Sequence, residues 1–151
     1  MAGLFFDEFV VGQIFEHEIR RTVTDSDNLW FCAMTYNPAQ IHIDAEYSKA
    51  TEFGRPLVNS IFTLGLMIGL SVQDTTFGTT VANLGMTDVR FPKPVFAGDT
   101  LRSQTTVLEL RASKSRPNAG IVTFKHQAIN QRGEEVAVCQ RQALMLKKGA
   151  A

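Results

Sequence analysis

Apolar and polar residues change period along this chain, and the changes mark its elements. From Ile14 to Thr24 (IFEHEIRRTVT) β-branched and charged residues roughly alternate after Gly12, which predicts a strand. Thr24, with Asp25 and Asp27 behind it, supplies a cap and first-turn acids for a short helix from about Asp25 to Met34. Pro38 disfavours helical geometry at Asn37, so NPAQIHID must turn. Asp44 can then cap a second short helix through Ala50, which ends near Gly54 and Pro56. From Leu57 to about Ser71 the chain is apolar on nearly every face of a helix, so that helix should be surrounded by protein. Four strand-like runs complete the pattern: Thr80 to Arg90, Asp99 to Ala112, Gly120 to Gln131 and Glu134 to Lys147. Pro92-Lys93-Pro94 breaks the run, and Asn130-Gln131-Arg132-Gly133 reads as a hairpin turn.

Helices followed by a run of strands predict an α+β fold with an antiparallel sheet. In a chain of 151 residues, read as a single domain over 1–151, the way to surround one apolar helix is to curl the sheet around it, the hotdog arrangement. The run Leu57 to Leu70 falls short of the ~20 residues that cross a bilayer, and it contains Asn59, Ser60 and Thr63. It is read as a core helix. Charge is balanced, 15 basic against 15 acidic residues without a basic block, which argues against a nucleic-acid groove or a polybasic membrane patch. A small molecule or a second copy of the chain is the expected partner. Cys32 and Cys139 lack metal-type spacing and are expected to be buried free thiols. MAGLFFDEFVVG carries Asp7 and Glu8 among its apolar residues and no basic stretch, unlike a secretory signal, so a cytoplasmic location is expected.

Three blocks carry a family resemblance. NPAQIHIDAEYSKATEFGRPLVNS is similar to the Asp-x-Asn-Pro-x-His-x-Asp and Arg-Pro-(Ile/Leu)-Val-His-Gly motifs of the MaoC-like hydratase/dehydratases, hotdog enzymes acting on acyl-CoA thioesters. The apolar helix that follows is the second block, and VRFPKPVFAGDTL resembles the family's Phe-x-x-Pro-Val-x-x-Gly-Asp segment. Aligned without a gap on His42, the residues Asp44, Arg55, Pro56 and Val58 keep register. Asn37 then stands where the family has its catalytic aspartate, and Asn59-Ser60 stands in place of His-Gly. Thr35 to Asp44, EFGRPLVNS and the late SRP…NQRGE are further similar to the subgroup of mesaconyl-CoA hydratase (β-methylmalyl-CoA dehydratase) proteins. That resemblance implies branched or dicarboxylic C4 to C5 acyl-CoAs as candidate substrates, a homodimer, and no metal or redox cofactor beyond the CoA thioester itself.

The residues support part of this unaided. Histidine exchanges a proton most readily near neutrality, which suits His42 to general acid–base work. An amide cannot accept a proton at that pH, so Asn37 can only orient a water or a carbonyl, and as a bare turn residue before Pro38 it needs no function at all. Ser60 falls in the first turn of the apolar helix, where unpaired backbone N–H groups favour a negative oxygen. Asn59, Arg55, Arg90 and Lys93 are candidates to contact the substrate or its CoA phosphates, since phosphates and carboxylates need such donors. Arg111, Lys114 and Arg116 form a basic loop read as solvated charge, and Gly65 and Gly69 are expected to permit close helix–sheet approach. The hotdog fold also hosts thioesterases and non-catalytic acyl-CoA binders, so these remain the rival readings.

Overall fold

The computed structural model describes residues 3–149. After a short 3-10 turn at Phe6–Glu8 come β1 (Ile14–Thr22), α1 (Asp25–Met34), α2 (Gln40–Ile43), α3 (Ala45–Lys49), α4 (Ser60–Thr75), β2 (Thr80–Arg90), β3 (Thr100–Ala112), β4 (Ala119–Ile129) and β5 (Glu135–Leu146). The strands form one five-stranded sheet in the order β1-β3-β4-β5-β2, with every neighbouring pair antiparallel. The order follows from the connections. Two hairpins join β3, β4 and β5, while the helices between β1 and β2 send those strands to opposite edges. The β4–β5 hairpin closes at the expected turn, where Gly133 takes a φ of +79° and donates to the Asn130 carbonyl at 3.0 Å.

α4 lies across one face of the sheet and touches β1, β3, β4 and β5. Beneath it the inward residues form two apolar clusters. One gathers Val23, Val58, Met67, Val95, Leu101 and Cys139, and the other gathers Phe9, Val107, Val122, Phe124 and Met145. Between them runs a row of buried polar side chains, His17, Thr105, His126 and Arg141, that no hydropathy pattern announces. Cys32 and Cys139 are buried free thiols, as expected.

Helix boundaries follow the caps. Thr24 and Asp27 form a capping box, with Asp27 N–H reaching Thr24 Oγ1 at 3.2 Å and Thr24 N–H reaching the Asp27 carboxylate at 2.8 Å. Asp44 accepts from Tyr47 N–H at 2.9 Å and starts α3. The apolar helix begins three residues later than its hydropathy, at Ser60, because Leu57 and Val58 are held by backbone bonds to the Ile41 and Val95 carbonyls, both at 2.9 Å. Asn59 caps it instead, its side-chain oxygen accepting from Ile61 N–H at 2.9 Å.

The α+β hotdog arrangement, an antiparallel sheet against one long apolar helix, is as expected, but two details of that helix differ. The sheet covers only one side of α4, so Ile61, Gly65 and Gly69 face outward and Ile61 is 55% exposed. A Cβ on Gly65 or Gly69 would meet nothing within 4 Å, so neither glycine serves close packing against the sheet. Thr63, Met67, Leu70 and Ser71 turn inward in their place. β2 is left equally bare, and Val81, Leu84 and Val89 stand on an edge without a neighbouring strand among the described residues. No helix of the described residues is long and apolar enough to cross a membrane.

Candidate active site

Pro38 and the turn before it place His42 on the one-turn helix α2, an element too short to leave a periodic signal. The imidazole Nδ1 lies 2.7 Å from the Leu57 carbonyl oxygen. A carbonyl only accepts, so Nδ1 carries the hydrogen and Nε2 presents a free lone pair. The ring is therefore held by Nδ1, and Nε2 has no partner among the described residues.

What fixes this geometry is Asn28, a residue the sequence reading passed over. Its side-chain NH2 donates to the His42 carbonyl at 2.9 Å and to the Leu57 carbonyl at 3.1 Å, and its side-chain oxygen accepts from Asn59 N–H at 2.8 Å. Asn28 is 3% exposed, so one buried amide ties the backbone of α2, the acceptor of the His42 ring and the N-cap of α4 together. A signal was present: an asparagine amid NLWFCAM is a poor helix-interior residue unless its amide has partners.

Asn37 behaves first as a turn residue. Its side-chain oxygen accepts from Ala39 N–H at 3.0 Å, which leaves only the NH2 end free. It lines a shallow apolar depression with Leu29, Cys32, Ala33, Tyr36 and Ile43. Ser60 lines another, a cleft of about 220 Å³ shared with Phe53, Leu57, Thr63, Lys93 and Val95. His42 lines neither depression; its ring is held by the carbonyl of Leu57, which lines the second, and its chain neighbour Ile43 lines the first.

At the start of α4 the Ser60 N–H has no acceptor among the described residues, while the Asn59 amide is occupied by the cap. Asn59 is 5% exposed and its NH2 points to Cys32 Sγ at 3.9 Å, so it shapes the helix start from inside. Lys93 joins Ser60 on the cleft wall. Arg55 is exposed and lies over the Phe96 ring, 4.1 Å from its centroid, at the neighbouring loop. Arg90 ends β2, exposed and outside the lining of the cleft.

The loop forming the far wall is braced by Asp99, which accepts from Phe96 N–H at 3.0 Å, Gln131 at 2.7 Å and Arg132 at 3.0 Å. Burial pushes the Asp99 carboxyl up, but these donors outweigh it and hold the group below its ordinary range. The Gly-Asp of the third sequence block is thus a loop brace, with Gly98 at a φ of +96°.

Comparison with known proteins adds to this geometry. The family described as the MaoC like domain matches residues 8–129. Mesaconyl-CoA hydratase of Cereibacter sphaeroides is 31% identical over 150 residues, which are 99% of this chain and 43% of that protein. β-Methylmalyl-CoA dehydratase of Chloroflexus aurantiacus is 27% identical, over 97% of this chain and 41% of that protein. A Mycobacterium tuberculosis protein described as having a double hotdog fold superposes with a TM-score of 0.87 at 24% identity, covering 97% of this chain and 45% of that one. The chain therefore spans less than half the length of these two hydratase relatives.

Proposed function

Because the chain belongs to the MaoC-like domain family, we propose that it is a hydro-lyase of acyl-CoA thioesters, adding water to or removing it from the α,β double bond of an enoyl-CoA. The observation that carries this reading is the clamped ring of His42, with Nδ1–H on the Leu57 carbonyl, tied through the Asn28 amide to the start of α4, where the Ser60 N–H is unpaired.

In hydration, His42 Nε2 takes a proton from water as the oxygen bonds to the β-carbon. The double-bond electrons move toward the thioester, and the Ser60 N–H together with the positive end of α4 stabilises the enolate oxygen. The proton held on His42 then passes to the α-carbon, so that H and OH are added and the ring returns to its starting state. Asn37 cannot take the proton; its free NH2 end donates to the water oxygen and aims it. Lys93 on the cleft wall, Arg55 over Phe96 at the neighbouring loop and Arg90 at the end of β2 are the cations proposed for the CoA phosphates. The reaction so written needs no cofactor other than the CoA carried by the substrate.

A second copy of the chain completes the proposal. It would cover the outward face of α4 and the bare strand β2, and the Mycobacterium tuberculosis neighbour described as a double hotdog carries two such folds in one chain. Two buried free thiols are consistent with a reducing, cytoplasmic setting.

The test is a panel of crotonyl-CoA, mesaconyl-CoA and saturated acyl-CoAs. Loss of enoyl absorbance without free thiol supports hydration, whereas thiol release from saturated substrates would make the protein a thioesterase. His42→Ala is expected to lower kcat by ~10²- to 10⁴-fold with an unchanged circular dichroism spectrum; unaltered turnover removes His42 from the mechanism. Asn37→Asp asks whether the amide sets the substrate, and a gain in straight-chain hydration would show that it does.

A further inference from the structure

The polar row under α4 plays no part in the reaction just described. Asp74 on α4, half exposed, lies 2.8 Å from His17 Nδ1; His17 Nε2 lies 2.8 Å from Thr105 Oγ1; and Thr105 Oγ1 lies 2.9 Å from His126 Nδ1. The chain stops at His126 Nε2, which is buried without a partner. Arg141 is 5% exposed, its Nε reaches Asn83 at 3.3 Å, and its Nη1 is likewise buried and unpartnered. Ladder pairs His126–Cys139 and Phe124–Arg141 put the two orphaned groups on the same face of adjacent strands as diagonal neighbours. Among the described residues no carboxylate forms an ion pair with Arg141; the groups facing this row are Asp74 from α4, His17 from β1, His126 from β4, and Cys139 and Arg141 from β5.

A guanidinium withdrawn from water with no counter-charge is costly, and its usual complement is a carboxylate or phosphate. We propose that Arg141 and His126 form an interior receptor for a carboxylate at the far end of the acyl group, a proposal that rests on the acyl-CoA reading of the site.

The hydrogen-bond order says how the receptor adapts. Empty, Asp74 accepts from His17 Nδ1–H, His17 Nε2 accepts from the Thr105 hydroxyl, and Thr105 accepts from His126 Nδ1–H, so His126 Nε2 is a lone pair that would repel a carboxylate. One proton delivered to His126 Nε2 with the ligand reverses the inner links, because the His126 Nδ1 hydrogen passes to Thr105 Oγ1 and the Thr105 hydrogen passes to His17 Nε2. His17 becomes an imidazolium held between Asp74 and Thr105, Thr105 donates to His126 Nδ1, and His126, still neutral, now offers Nε2–H. Arg141 Nη1 and His126 Nε2 then both donate to the carboxylate. Burial first, then the charges of Arg141 and His17, push the His126 pKa down to about 3, so His126 itself stays neutral throughout. Binding is therefore coupled to uptake of one proton.

The experiment compares CoA monothioesters of saturated diacids (succinyl, adipyl, suberyl, sebacyl) with the matched monoacids by titration calorimetry in two buffers of different ionisation enthalpy. A series is needed because Val136, on the cleft wall, is ~17 Å along β5 from Arg141 at the rise of an extended strand, less the reach of the arginine. At one or more lengths the diacid is expected to bind ~10- to 100-fold tighter than its monoacid, with one proton taken up. Arg141→Met should abolish the preference while keeping or raising Tm, since it replaces an unpaired buried charge by an apolar group. Thr105→Val should abolish the proton uptake. Equal affinities at every length, with crotonyl-CoA still hydrated, overturn the receptor and leave the hydratase; binding of none of these thioesters overturns both. A preference that survives Arg141→Met also overturns the assignment.

Discussion

Asn28 concentrates the chemistry of the site in one side chain. Each hydrogen of its NH2 group and its oxygen has a backbone partner that places His42 or the start of α4, and the oxygen also takes a weak bond from the Cys32 thiol at 4.0 Å. Replacing it by alanine leaves the Asn59 N–H and the His42 carbonyl without protein partners in a buried place, at a cost of ~1–3 kcal/mol. Asn28→Ala is therefore expected to lower Tm and to reduce kcat more than KM changes, because His42 loses its alignment while the cleft wall remains. Calorimetric unfolding beside a full rate profile checks this; a Tm loss with kcat intact would make Asn28 a purely structural residue. At the same scale Asn37 shows the limit of reading chemistry from position. Its place before Pro38 and its place in the motif are both visible in the sequence, but only the coordinates show its oxygen spent on Ala39 N–H and its NH2 end left free.

α4 and β2 are the elements whose character the chain does not satisfy by itself. α4 was legible as the apolar helix, and β2 as a strand, yet both leave one side unpacked: Ile61 is 55% exposed, Leu84 49% and Val81 38%. An apolar edge strand invites pairing. Leu84→Arg is expected to shift the protein from dimer to monomer in sedimentation equilibrium, with far-UV circular dichroism preserved because Leu84 packs on nothing in its own chain's buried clusters. A wild-type monomer, or a variant that still sediments as a dimer, would remove β2 from the interface. Helix starts were read from caps with success at Thr24 and Asp44. The start of α4 was misplaced because Leu57 and Val58 are as apolar as the helix but are tied to Ile41 and Val95, bonds between segments far apart in sequence.

For the molecule as a whole, the buried polar row predicts how stability depends on pH. The folded-state pKa of His126 lies near 3, depressed from 6.5 by burial and then by the charges of Arg141 and His17. The unfolded chain therefore binds the proton first, and by linkage stability is full above about pH 6.5 and falls as pH drops toward 3. The upper part of that window, above ~4.5, precedes carboxylate titration. Denaturant unfolding at pH 7.5 and 5.5 should show the decline, and His126→Gln should flatten it; an equal slope in that variant would place the pH dependence elsewhere.

The linear sequence by itself determined the order of the strands and longer helices, the antiparallel class, the caps at Thr24 and Asp44, the hairpin at Gly133 and the choice of His42 as the candidate base, because periodicity, turn chemistry and titration range are local properties of residues. Only the tertiary structure decided that the Leu57 carbonyl holds the histidine ring, that Asn28 unites three segments, that α4 shows an open face, and that His126 Nε2 and Arg141 Nη1 are left buried without partners. Each of those depends on which distant residues the sheet brings side by side, and pairing between strands or across a helix start leaves no mark on the spacing of residues along the chain.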